Sequence, residues 1–219
     1  MQQDINNQIS LFIDALVEGK RTTCSEIAMQ LLKENPSIIN LYEGLLKESL
    51  YKVGELWEYN KISVATEHMA TAIIESILNT LYPQIISSGE INNKKVILAC
   101  IEDEYHQVGI KMVSDMFEMY GWESLYLGAN VPFNELLSFI EEIEPDVLAI
   151  SLSIYFHLPL LKKMLESLNQ QFPDLNIIIG GQAFRHLEDN DLANYKNVTL
   201  IMDLLTLSEH IKKITYDQG

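Results

Sequence analysis

The sequence predicts a two-part α/β chain, with an N-terminal four-helix bundle followed by a five-stranded parallel sheet covered by helices. Three observations predict it. Apolar residues recur at helical spacing as far as about Tyr82, a polar stretch follows Pro83, and short β-type apolar runs then alternate with helical patterns. A length of 219 residues accommodates two modules, each able to bury a core.

The elements follow in order. Ile5, Ile9, Phe12, Ile13 and Leu16 form the stripe of a first helix, and Ile27, Ala28, Leu31 and Leu32 that of a second. Asn35, Pro36 and Ser37 end the second and start a third, with Pro36 expected in its first turn. Leu41, Leu45, Leu46, Leu50, Val53 and Leu56 mark the third helix, and Val64, Ile73, Ile77 and Leu81 the fourth. Short turns between these patterns predict a bundle over residues 1–86. The polar stretch Ser87, Ser88, Gly89, Glu90, Asn92 and Asn93 marks the boundary, and the second domain is expected over 94–219. Its strands are Val96–Ala99, Ser124–Leu127, Val147–Ile150, Asn176–Ile179 and Val198–Met202. Alternation of this kind is that of βαβ units in a doubly wound, flavodoxin-like sheet, whose ligand lies outside the carboxyl ends of the strands.

Composition narrows the function classes. Hydrophobic residues make up 47% and charged residues 21%, ordinary values for a globular protein. Lys and Arg total 15 against 31 Asp and Glu, a net charge of -16, which opposes direct binding of nucleic acid or an anionic bilayer. Small molecules and proteins are the expected partners. Cys24 and Cys100 have no zinc or redox spacing and read as reduced structural thiols. The amino terminus has no signal-like apolar core, and no apolar run reaches the ~18 residues of a membrane span. A cytoplasmic location is therefore expected. No Ser/His/Asp or paired-carboxylate constellation is legible, so catalysis is not assigned.

The strand ends carry the candidate chemistry. The loop after the first strand reads Ile101-Glu102-Asp103-Glu104-Tyr105-His106-Gln107-Val108-Gly109, and a helical pattern begins directly after it. A loop histidine is otherwise a solvent-exposed or capping residue. Here Glu104 stands two residues earlier, able to accept from one imidazole nitrogen and leave the other for a metal. Gly109 permits close approach of a ligand to the backbone. The third strand ends with the hydroxyls of Ser151 and Ser153, and the fourth with Gly180-Gly181, a pair that also suits a tight strand-to-helix turn. Together these loops describe a slot lined by small residues with one histidine at its mouth.

Residues 95–215 resemble the cobalamin-binding domain of methionine synthase, corrinoid methyl carriers, adenosylcobalamin mutases and cobalamin-dependent light sensors. That family's pattern is Asp-x-His-x-x-Gly, then Ser-x-Leu or Ser-x-Thr, then Gly-Gly, at the spacing found here. The resemblance implies that His106 is the lower ligand to cobalt, displacing the cofactor's own base. The nucleotide tail would then run beside Gly109, Ser151, Ser153, Gly180 and Gly181. Glu104 departs from the pattern's Asp, adding one methylene, and Ser153 stands where Leu or Thr is usual.

In the bundle, Trp57 is followed ten and eleven residues later by Glu67 and His68. Taken singly, these are a core tryptophan and a solvated pair. The arrangement Trp-x9-Glu-His is similar to the helical cap of the light-sensing cobalamin regulators, as are Leu127-Gly128-Ala129-Asn130-Val131-Pro132 and Gly180-Gly181-Gln182-Ala183-Phe184. This likeness implies a sensor in which Trp57, Glu67 and His68 cover the upper face of adenosylcobalamin and light releases the cap. Those regulators have an amino-terminal DNA-binding module, whereas this sequence begins with its cap and is acidic. Output is therefore expected through a protein partner or a homodimer. Glu58 stands where the regulators commonly have a histidine after the tryptophan. The alternatives are a corrinoid methyl carrier of a methyltransferase system, favouring methylcobalamin, and a photoreceptor that also binds a bilin.

Overall fold

A computed structural model describes residues 2–86, 91–186 and 195–216. The chain divides into two compact units, Met1–Pro83 and Gln84–Gly219. Of the expected boundary stretch, Ser87, Ser88, Gly89 and Glu90 lie outside the described residues.

The first unit is helical. Helices α1 (Gln2–Val17) and α2 (Arg21–Glu34) are followed by one continuous rod in which α3 (Ile38–Leu41) and α4 (Glu48–Glu58) flank a π-helical stretch, Tyr42–Lys47. Helix α5 (Val64–Ile86) completes the unit and continues through Pro83, beyond the end expected near Tyr82. Pro36 is not in a first turn: Ser37 is the cap, its hydroxyl accepting from the Asn40 N–H at 3.2 Å, and Pro36 precedes it. Ser63 starts α5 in the same way, accepting from the Thr66 N–H at 3.1 Å. Phe12, Leu16, Leu41, Leu45, Leu46, Val53, Ile73, Ile77 and Leu81 are buried as the 3.6-residue spacing predicts.

The second unit holds a five-stranded, wholly parallel sheet in the order β2-β1-β3-β4-β5. Its strands are β1 (Lys95–Cys100), β2 (Glu123–Gly128), β3 (Val147–Ser151), β4 (Asn176–Gly180) and β5 (Val198–Leu200). The last is shorter than its apolar run, although the Ile201 N–H still donates to the Ile179 carbonyl at 2.9 Å. The central strands β1 and β3 are buried nearly throughout, which is why they read as continuous apolar runs.

Residues alternate between faces. Ile97, Ala99, Leu148, Ile150, Ile177 and Ile179 form one core with Leu136 and Ile140 of α7 (Phe133–Ile143) and Leu161, Leu165 and Leu168 of α8 (Leu158–Gln171). Helix α6 (Val108–Met119) packs against β1 and β2 and meets α9 (Leu204–Tyr216). Helix α9 is held by polar bonds from the start of the sheet. The Trp122 Nε1–H donates to Thr215 Oγ1 at 2.7 Å, and Tyr120 and Ser208 share a hydroxyl bond of 2.5 Å. No helix among the described residues is long and apolar enough to cross a membrane.

Trp122 is only 4% exposed, so its N–H depends on Thr215. Thr215→Val keeps the shape and removes the acceptor, at an expected cost of about 1–3 kcal/mol. The check is the urea unfolding midpoint, which should fall at unchanged slope. An unchanged midpoint would mean that this bond adds no net stability.

Candidate functional site

In the order β2-β1-β3, the chain moves from β1 to one side and then crosses to the other. The crevice at the carboxyl ends of β1 and β3 is therefore the topological switch point, where open α/β sheets bind ligands. The loops following these two strands carry Glu104, His106 and Ser153, while Ser151 ends β3 and Gly109 lies in the first turn of α6.

Glu104 is at the centre of the crevice. Its side chain is fully buried, whereas that of His106 is 51% exposed. One carboxylate oxygen, Oε1, accepts from His106 Nδ1 at 2.5 Å and from the His106 backbone N–H at 3.1 Å. The other, Oε2, accepts the backbone N–H groups of Ser153 at 2.9 Å and Ile154 at 3.0 Å, on the loop after β3. Burial pushes the Glu104 carboxyl up, but these bonds, led by the one from His106, outweigh it and hold the group down to about 2. The carboxylate is thus ionised at neutral pH. With Nδ1–H donated to it, a neutral His106 ring has its lone pair on Nε2, the nitrogen able to bind a metal.

The additional methylene of Glu104 spans the distance to the β3 loop. Ser153 contributes its backbone N–H there, so its side-chain departure from the family pattern leaves that bond intact. At the end of β1, burial, reinforced by Glu104, pushes the Cys100 thiol up to about 12. It remains protonated and its sulfur lies 3.6 Å from the His106 carbonyl. Cys24 is also buried and free, with its thiol pushed by burial up to about 11.

Gly109 sits exposed in the first turn of α6, and a Cβ built there meets nothing within 4 Å. No neighbour among the described residues requires glycine at this position. Gly180 and Gly181 are different. A Cβ on Gly180 would lie 2.6 Å from the Ile201 carbonyl oxygen. Gly181 has φ +119, and its Cβ would lie 2.3 Å from the Leu152 carbonyl oxygen. Packing and backbone conformation account for this pair, so the turn explanation suffices for both. Ser151 is nearly buried at the end of β3, in register with Cys100 on one side and Gly180 on the other.

In the helical unit, Trp57 is 47% exposed at the end of α4, which sets aside the core explanation. Tyr59, Val64 and Met69 are exposed nearby in sequence. Glu67 and His68 do pair, Oε2 to Nδ1 at 2.5 Å, and Glu67 Oε1 accepts from the Thr71 hydroxyl at 2.9 Å.

Sequence reasoning gave no role to the backbone of Ile154, to Asn130 as a hydrogen-bonding residue, or to His157. The Nδ1 of His157 is buried without a hydrogen-bond partner among the described residues. None of these shows a local spacing signal. Nor, among the described residues, do three or more His, Cys, Asp or Glu side chains gather where they could hold a metal ion. The chemistry on offer at the switch point is a single oriented imidazole, which could hold a metal that brings its other ligands with it.

Two family models, each described as a B12 binding domain, match the chain, one over residues 94–199 and the other over residues 9–82. Methionine synthase of Mycobacterium tuberculosis is 23% identical over 185 residues, 81% of this chain, which spans 15% of that protein's length. A corrinoid protein of Desulfitobacterium hafniense is 19% identical over 76% of this chain and 80% of its own length. Among solved structures, the monomethylamine corrinoid protein of Methanosarcina barkeri shares the fold, with a TM-score of 0.78 at 15% identity over 98% of this chain and all of that one.

Because Glu104 is depressed on folding from its ordinary 4.5 to about 2, its contribution to stability is complete above pH 4.5 and is lost as pH falls towards 2. Its size is on the order of 3 kcal/mol. Glu104→Gln should lose that stability at neutral pH and flatten the acid limb, read from urea unfolding of the cofactor-free protein at several pH values. Identical acid limbs in both proteins would place the titrating group elsewhere.

Proposed function

We propose, for a chain that carries a B12 binding domain in each of its two units, that it serves as the corrinoid protein of a methyltransferase system. Cobalamin binding is common to the carrier, the sensor and the bilin-binding photoreceptor alike. The observation that supports His106 as the lower cobalt ligand is its Nδ1–H held by an ionised, buried carboxylate at 2.5 Å. Likeness in both halves to corrinoid proteins, one of them matched over 80% of its length, favours a carrier.

The residues present fit the cofactor. A metal that brought most of its own ligands would need only one donor from the protein, and His106 would supply it from the switch point. The open space at Gly109 suits backbone approach by a ligand, since glycine in a helical turn has a cost and no neighbour requires it. Ser151 and Ser153 would offer polar contacts to the tail, with Gly180 and Gly181 beside them. When bound, cobalamin supplies a cobalt centre that accepts and releases a methyl group. The chain's part is to hold that centre. Glu104 fixes the tautomer and direction of His106 and, by staying ionised, raises the basicity of Nε2. Trp57, Glu67 and His68 enter the reading as contacts to the upper ligand.

A second reading is supported by the exposure of Trp57 together with the Glu67–His68 pair, features that resemble the cap of light-sensing regulators. In that reading the upper ligand is adenosyl, and its photolysis is the signal. No observation favours a bilin.

One experiment covers both readings. The protein and His106→Ala are loaded in darkness with methylcobalamin or adenosylcobalamin, and visible spectra are recorded before and after brief green illumination. The carrier reading expects a histidine-ligated methyl form, with affinity weakened roughly 10–100-fold in the mutant and no photolysis faster than that of free cofactor. Rapid, irreversible change of the adenosyl form alone would favour the sensor. The same spectrum and affinity in His106→Ala would remove His106 as the ligand.

A further inference from the structure

We infer that Asn130, on the loop between β2 and α7, is a positioning residue for His106, an inference that rests on His106 being the metal ligand. The Oδ1 of Asn130 accepts from the Asp103 backbone N–H at 3.0 Å, and the Asn130 N–H donates to the Glu104 carbonyl at 2.8 Å. These bonds grip the two consecutive residues that supply and precede the carboxylate holding the imidazole. Asn130 at φ 50 and Asp103 at φ 64 both occupy the left-handed region, so each loop bends sharply to reach the other.

The end of β2, just before this loop, lies beside the residue that follows His106. Gly128 has φ +78, and a Cβ there would lie 3.0 Å from Gln107 Oε1. The residues on either side of His106 in sequence are thus met from this part of the chain, Asp103 and Glu104 by Asn130 and Gln107 by the end of β2. Ser153 and Ile154 hold the carboxylate end of Glu104, and Asn130 holds its backbone end. With the carboxylate and the main chain fixed from two different loops, the Glu104 side chain has a defined path between them, and the ring it holds is aimed accordingly. Asn130 is only half-buried and belongs to neither core, so its effect should be on the aim of the ring rather than on the stability of the fold.

Asn130→Gly isolates the side-chain bond, because glycine keeps the left-handed backbone and the N–H while removing Oδ1. Asn130→Asp retains an acceptor. Both variants and the wild-type chain are loaded with methylcobalamin in darkness and compared by visible spectrum and by dissociation constant. The cofactor-free forms are compared by melting and by amide exchange at Asp103. Asn130→Gly is expected to bind roughly tenfold more weakly with a smaller histidine-ligated fraction, to exchange the Asp103 amide roughly tenfold faster, and to melt within about 3 °C of wild type. Asn130→Asp should restore the spectrum.

A wild-type histidine-ligated spectrum that is unchanged in Asn130→Gly would overturn the inference and leave the proposed function standing. Loss of the spectrum in Asn130→Asp as well would overturn it too, as would failure of Asn130→Gly to fold, which would make Asn130 a scaffold residue. A wild-type protein without histidine ligation would overturn the proposed function and this inference with it.

Discussion

A buried carboxylate can remain charged only where enough donors surround it, and the second unit is arranged around one such group. Among the described residues, no Lys or Arg side chain pairs with Glu104. It is sustained by an imidazole N–H and three backbone N–H groups, from His106, Ser153 and Ile154. Two of those donors lie beyond β3, so the carboxylate can be satisfied only if β1 and β3 pair in the observed register, with Cys100 opposite Ser151. A one-residue slip would shift the donors by about 3.3 Å and would also turn the buried residues of β1 to the wrong face. The apolar core and the charge at its edge thus select the same alignment.

This arrangement separates the tasks of the two carboxylate oxygens. One is given to the β3 loop and ties the crevice together, and the other is given to the residue at its mouth. An aspartate at position 104 would be shorter by one methylene and would need the loops closer together to do both. The glutamate is consequently a matter of span, while its electrostatic effect on the imidazole is that of any ionised carboxylate.

How far the sequence can be read depends on the range over which each signal acts. The five strands and the loops that follow them were legible because burial on both faces leaves continuous apolar runs and because parallel sheets gather ligands at one edge. The pairing of Glu104 with His106 was legible as a local spacing. The π-helical stretch Tyr42–Lys47 was not, because Leu41, Leu45 and Leu46 suit the apolar face of an α-helix equally well. Pro36 was placed inside the helix although it precedes the cap, since Ser37 competes for the cap and wins through its hydroxyl. Asn130 had no signal as a hydrogen-bonding residue, since its partner lies 27 residues away and is a backbone group that any residue type could offer. Trp57 was ambiguous for a related reason: helical spacing does not distinguish a large apolar residue at the end of a core stripe from one placed on the surface for a ligand.

The glycines of the crevice divide into two kinds, and this bears on how sequence variation in relatives should be read. Gly180 and Gly181 are enclosed by the main chain of Ile201 and Leu152, so a constraint on them comes from folding and would persist in descendants that had lost a ligand. Gly109 has open space around it among the described residues, so on the proposed reading nothing there opposes drift to alanine or serine once the ligand is gone. In a genealogy of such domains, the first glycine to decay would date the loss of the cofactor, while the pair at the end of β4 would remain as a record of the fold alone.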